Sequence, residues 1–224
     1  MADPEEKRLV DLSHVIEHGM TTYPGLPGPH ICDFWTREAS AENYEDGSSF
    51  QIGRIDMVAN TGTYLDSPFH RYADGMDLAD LRLASLADLP GMVVRRPWEN
   101  EIATDESHLG GLDVRGKAVL IHTGWDRHWR TDRYGSDHPF LTAAAAQWLI
   151  DNGAALVGID SNNIDDTRVP ARPAHTKLLG ADIPVCEHMT GLGQLPDGGF
   201  RFSAVPPKVR GMGTFPVRAY AVLS

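Results

Sequence analysis

The stretch that decides the fold runs from residue 118 to residue 187. Within it Ala118–Thr123 reads AVLIHT, Leu141–Asn152 LTAAAAQWLIDN, Leu156–Asp160 LVGID, Ala174–Leu179 AHTKLL and Ile183–Glu187 IPVCE. The short aliphatic runs suit strands buried on both faces, and the alanine-rich segment suits a helix capped by Thr142 and stopped by Gly153. Strand, helix, strand, helix, strand in that order predicts parallel βαβ units. Residues at the carboxyl ends of such strands commonly line a ligand crevice.

Outward from that core the patterning is looser. Leu9–Ser13 (LVDLS) reads as a strand, and Phe50–Ala59 alternates as one, with Ile55 and Met57 on one face. Between them, residues 17–49 carry Tyr23-Pro24-Gly25 and Pro27-Gly28, which predict irregular backbone without a helix. A stretch of that length is either a lid or pocket wall, or a plain surface excursion. Leu78–Leu89 reads as short helical turns ending at Pro90-Gly91, Met92–Val94 as a short strand, and Arg210–Leu223 as a closing strand. No linker divides the chain, so residues 1–224 are expected to form one α/β domain.

Composition narrows the function classes. Of 224 residues 42% are hydrophobic, enough for a full core, and 20 basic against 31 acidic side chains give a net charge of −11. That field repels phosphate backbones and argues against a nucleic-acid partner. Cys32 and Cys186 are too few for a disulfide framework, and the opening MADPEEKRLV is charged where a signal peptide is apolar. The longest apolar stretch, residues 141–159, is broken by Gln147, Asp151, Asn152 and Gly153, so no membrane partner is expected. The expectation is a cytoplasmic protein acting on a small molecule.

Chemistry-bearing side chains gather in two places. Asn60-Thr-Gly-Thr-Tyr64-Leu-Asp66-Ser-Pro-Phe-His70, if extended, projects residues 60, 62, 64 and 66 to one face. Gly62 leaves room for close approach, and Pro68 turns the chain so that His70 returns towards Asp66. Carboxylate, imidazole and phenol together can bind a cation or move protons. The same residues also suit a turn in which Asp66 caps and His70 lies at the surface. In the second cluster His175 opens a short helix and Glu187 ends the next strand, which can bring both to one end of the sheet. The two equally suit a helix-start histidine and a paired strand-end carboxylate with no shared site. Two-residue alternation puts Cys186 and His188 on the side opposite Glu187, so Cys186 reads as a small core residue and not a nucleophile. The other histidines lack metal-ligand spacing, and there is no nucleophile elbow, P-loop or dinucleotide fingerprint.

Together the two clusters resemble the cyclase family of metal-dependent hydrolases, which includes bacterial kynurenine formamidases and isatin hydrolases. The family motif HxGTHxDxPxH aligns with residues 60–70, and a His followed twelve residues later by Glu aligns with His175 and Glu187. Tyr23-Pro24-Gly25 is similar to the family's aromatic-Pro-Gly segment, whose aromatic residue contacts substrate. The resemblance implies a swivelling β/β/α single domain that assembles as a homo-oligomer, dimer or tetramer. It also implies metal ligands at Asp66, His175 and Glu187, and His70 as proton donor and acceptor. Two motif histidines, both metal ligands in the family, are here Asn60 and Tyr64. The expectation is therefore one divalent ion, manganese or zinc, or none, in place of two.

On this reading the protein hydrolyses an amide, lactam or lactone bond in a small aromatic or cyclic substrate. Tyr64 is expected as an oxyanion donor, Asn60 as a weaker one, and Tyr23 with a tryptophan of the long loop as a stacking wall. The alternatives are a metal-free protein that binds a small ligand, and a metal-free cyclase or isomerase using His70 and Tyr64.

Overall fold

A computed structural model describes residues 7–223. In chain order the elements are β1 (Arg8–Asp11), β2 (His30–Trp35), α1 (Arg37–Ala41), β3 (Ile52–Asp56), β4 (Tyr64–Asp66) and β5 (Leu89–Arg95). There follow β6 (Ala103–Thr104), β7 (Ala118–His122), β8 (Phe140–Leu141), α2 (Ala143–Asp151), β9 (Leu156–Ile159) and α3 (Pro173–Gly180). The chain closes with β10 (Val185–Glu187), β11 (Gly198–Ser203), β12 (Thr214–Pro216) and β13 (Tyr220–Leu223).

Nine strands form one sheet in the order β1-β13-β11-β5-β7-β9-β10-β4-β12. Its centre, β5-β7-β9-β10, is parallel, and every other pairing is antiparallel. The βαβ units predicted from residues 118–187 are β7-β9-β10 of this centre, with α2 and α3 as crossovers, and β5 adds a fourth parallel strand. The Thr142 hydroxyl accepts from Ala145 N and caps α2 as expected. One face of the sheet, with Val119, Ile121, Val157, Ile159 and Val185, packs against α2 and α3.

The other face is covered by the sheet's own curl. A single buried cluster takes Val10, Phe202 and Ala221 from one end of the strand order and Leu65 and Cys186 from the other. β12 and β13 lie near opposite ends of that order, yet only residues 217–219 separate them. Four residue steps span at most about 14 Å, so the two ends must approach each other. Val217 N donating to Thr63 O and Leu12 N donating to Ala219 O close the seam.

Four expectations are corrected. The stretch over residues 17–49 is not wholly irregular: it holds β2 and α1. The strand around Ile55 is β3, which pairs only with β2 in a separate hairpin, so alternation there does not mark a core face. Residues 78–89 form a single 3-10 turn at Leu83–Ser85, and β5 already begins at Leu89. Pro90 is tolerated inside that strand because pairing with β7 starts only at Gly91. Residues 210–223 make two strands, β12 and β13, not one. Among the described residues no helix is long and apolar enough to cross a membrane.

Gly62 sets the entry to β4. Its φ is +66°, and a Cβ there would stand 2.9 Å from Ile16 Cγ1. Gly19 has φ +72° with open space around it. Gly19→Ala is expected to cost about 1–2 kcal/mol of backbone strain, and Gly62→Ala more, because crowding adds to it. Urea midpoints of the two variants check this, and equal losses would mean that Ile16 yields freely.

Candidate functional site

The register of β4 between its neighbours builds the site. Tyr64 lies opposite Glu187 of β10, and Asp66 lies opposite Thr214 of β12. Both cross-strand pairs are hydrogen-bonded on the same face. Tyr64 Oη donates to Glu187 Oε2 at 2.7 Å, and the Thr214 hydroxyl donates to Asp66 Oδ1. Leu65 and Cys186, the alternate residues, point into the core, as alternation predicted for Cys186. Burial pushes the Cys186 thiol far up, so it stays protonated and unreactive.

His175 reaches the same spot from the first turn of α3. Asp165 caps that turn, accepting from Ala174 N at 2.6 Å and His175 N at 3.0 Å. The same carboxylate bonds His175 Nδ1 at 2.7 Å. This fixes Nδ1 as the protonated nitrogen and turns Nε2 towards Asp66 Oδ2 and Glu187 Oε1, each 3.5 Å away. Glu187 Oε1 also accepts from Ile164 N at 2.6 Å. Burial alone would lower the His175 pKa, but Glu187, Asp165 and Asp66 outweigh it and hold it well above the usual imidazole range. Burial, with Asp66 beside it, pushes Glu187 up.

His70, on the 3-10 turn after β4, is half-exposed and lies 3.5 Å from Asp66 Oδ1. Thr214 Oγ1 is 2.8 Å from His70 Nδ1. The threonine has one proton and gives it to Asp66, so Nδ1–H must donate to Thr214 Oγ1. His70 Nε2 is then left as the basic nitrogen. One ligand atom each from Asp66, His70 and His175 fall within 4.8 Å of one another.

These residues form the floor of a cleft of about 500 Å³, with Tyr23, Pro24, Gly25, Leu26, Asn60, Asn163, Arg71 and Arg172 around it. All seven residues singled out from the sequence, Tyr23, Asn60, Tyr64, Asp66, His70, His175 and Glu187, thus meet in one place. Part of the long loop is a pocket wall. Trp35, its one tryptophan, is not part of that wall: it packs edge-on against Phe50 in the hairpin. Tyr64, expected as an oxyanion donor, spends its hydroxyl proton on Glu187.

Alternation misplaces His188. It follows β10 with φ +52°, and that left-handed step swings its ring back to the Glu187 side. Tyr134 Oη donates to Nδ1 at 3.0 Å, and Nε2 donates to Tyr64 Oη at 3.3 Å. Burial lowers the His188 pKa to about 3, so the ring is neutral. Thr214 and Asp165 were also missed: Thr214 acts on Asp66 and His70, far along the chain, and Asp165 acts on His175 only ten residues on, at a spacing that fits no motif. Behind His188 stand Trp129 and then His14, whose ring stacks on Trp129 at 4.1 Å between centroids.

Comparison with known proteins matches residues 10–166 to the family model described as "Putative cyclase". A kynurenine formamidase of Salinibacter ruber is 31% identical over 216 residues, covering 94% of this chain and 95% of that protein. One of Erythrobacter litoralis is 26% identical over 205 residues, covering 91% and 88%. Isatin hydrolase A from Labrenzia aggregata, solved bound to benzyl benzoate, superposes with a TM-score of 0.82 at 20% identity, covering 97% of this chain and 94% of that one.

Burial lowers the His14 pKa from 6.5 to about 4, with Asp126 only partly offsetting it. The unfolded chain therefore takes up this proton first as pH falls, and stability is lost between about 6.5 and 4. His14→Gln is expected to lessen the drop in urea stability between pH 7 and pH 4.5 by on the order of 1 kcal/mol. Parallel losses in parent and variant would show that His14 is not held neutral by the fold.

Proposed function

The chain belongs to the cyclase family, and on that premise we propose that it is a metal-dependent hydrolase of an amide bond in a small aromatic or cyclic substrate, arylformamidase-like in its chemistry. The observation that carries this is Asp66 Oδ2, which is buried without a hydrogen-bond partner and converges on His175 Nε2 beside Glu187 Oε1. Donor atoms sharing a tetrahedral ion at 2.0–2.2 Å lie about 3.3–3.6 Å apart. The two 3.5 Å separations about His175 Nε2 fit that spacing. Asp66, His175 and Glu187 would hold the ion, and one nitrogen with two oxygens suits zinc or manganese. When bound, such an ion polarises the scissile carbonyl and acidifies water.

The protein's own groups do the rest. His70 Nε2 takes a proton from the attacking water and returns it to the leaving nitrogen. Thr214 holds His70 in the required tautomer and anchors Asp66 at the same time. Tyr64 keeps Glu187 turned inward, and Asn60 remains as the neutral donor on the cleft wall, facing the developing oxyanion. Tyr23 closes the wall against the aromatic ring of the substrate. The proposal extends to a cytoplasmic homo-oligomer, a dimer or tetramer. Exposed Phe34, Ile52 and Ile55 on the β2–β3 hairpin support self-association.

Elemental analysis paired with formanilide hydrolysis tests the reading. Asp66→Asn is expected to abolish both metal content and turnover. His70→Ala should keep the metal while turnover drops about 10²–10⁴-fold. A metal-free parent that hydrolyses no formanilide would refute the function, and metal loss in His70→Ala would move that histidine among the ligands. The double change Asn60→His and Tyr64→His should raise zinc affinity in titrations, because imidazoles replace weaker oxygen donors. Unchanged affinity would mean that these positions do not face an ion.

A further inference from the structure

The floor of the cleft is acidic, with Asp66 and Glu187, but two guanidinium groups, Arg71 and Arg172, stand on its wall. Neither makes an ion pair with a carboxylate among the described residues, although the chain carries 31 acidic side chains against 20 basic ones. Their hydrogen bonds hold them in place and leave charge uncompensated. Arg172 is half-buried and uses Nη1 alone, donating to the carbonyls of Asp166 at 3.1 Å, Val169 and Ala171 at 2.8 Å. Its Nε and Nη2 make no hydrogen bond among the described residues. Arg71 Nε donates to Thr176 Oγ1 at 3.2 Å, and that hydroxyl donates to Arg172 O at 2.7 Å. One threonine thus ties both arginines to the start of α3, and the Arg71 terminal nitrogens make no hydrogen bond among the described residues.

We propose that Arg71 and Arg172 form an anion subsite, so that the preferred substrate carries a carboxylate at the end remote from the bond being cleaved. The proposal rests on the hydrolase reading of the same cleft and adds the substrate's charge to it. The placement separates two jobs. The acidic floor accepts a neutral carbonyl and repels an anion, whereas the wall supplies planar donor forks that match a carboxylate. A cleft of about 500 Å³ takes one aromatic ring between the two. A substrate bound in reverse would set its carboxylate against Asp66 and Glu187, so the charge pattern also fixes orientation. A cationic substituent at the wall would meet two unpaired guanidinium groups and be rejected.

The test compares 4-formamidobenzoate with its methyl ester, which share the scissile formamide and differ in charge. The parent is expected to favour the carboxylate in kcat/KM by roughly 10–100-fold, the range for hydrogen bonds to charged groups, chiefly through KM. Arg71→Gln is expected to reduce that ratio, as is Arg172→Lys, which keeps the charge and loses the fork. The double variant should bring the ratio near one. Arg71 is exposed with a single side-chain partner, so its variant keeps the test valid if changes at Arg172 disturb the 166–171 turn. A parent that does not distinguish the carboxylate from its methyl ester, or variants that lower both rates equally, would overturn the subsite. If neither compound is hydrolysed, the hydrolase reading fails separately. Calorimetric binding of 4-aminobenzoate then decides the subsite: binding lost in Arg71→Gln supports it, and binding unchanged in both variants overturns it.

Discussion

Around one imidazole, that of His175, stand the carboxyl groups of Asp66, Asp165 and Glu187, each at most 1% exposed. Negative charge at that density cannot leave water unless positive charge sits among it. A proton on His175 or a metal ion beside it meets the demand, and the surrounding polypeptide is arranged to keep the choice open. Asp165 secures one ring nitrogen whichever cation is present. Ile164 N and the Tyr64 hydroxyl share the load on Glu187, and Thr214 takes one oxygen of Asp66. Only Asp66 Oδ2 is left without a partner, at the point where a cation is needed.

The fold serves this arrangement through the short strand β4. Its three residues make two hydrogen-bonded cross-strand pairs on one face and a core contact on the other. A slip of one residue in β4 would turn Asp66 among aliphatic side chains and Leu65 towards the site, so burial and chemistry enforce the same register. The curl of the sheet matters too. Without it β12 could not return to the outer side of β4, and Thr214 would not stand between Asp66 and His70. Rim and floor differ in origin: the floor lies on strands and a helix start, while Tyr23 to Leu26 come from the long loop.

What the sequence made legible followed local periodicity. The aliphatic runs at 118–123 and 156–160 and the capped helix between them are local signals, and the parallel centre of the sheet came from them. Asp66, His70, His175 and Glu187 were legible as residue types at suggestive spacings, although only tertiary pairing could bring two clusters more than a hundred residues apart together. Thr214, Asp165 and His188 were not legible, for distinct reasons. A threonine in a strand and an aspartate in a loop are unremarkable until their partners are known. His188 defeated alternation because its own left-handed backbone reverses the side that its ring faces. The β2–β3 hairpin misled in the opposite way, since its alternation looks like a core strand but finds no core.

His188 also sets a conflict between backbone and side chain. At φ +52° a non-glycine residue gives up about 1–2 kcal/mol that glycine would recover. Its ring is what links the Tyr134 and Tyr64 hydroxyls, so recovering that energy would unlink them. Asparagine adopts the same backbone comfortably and is one base change from histidine, but its short amide cannot span two phenols. Position 188 is therefore a point at which selection for robustness and selection for an ordered site pull apart. Drift towards glycine or asparagine there would give a sturdier chain whose buried tyrosines have lost their tether.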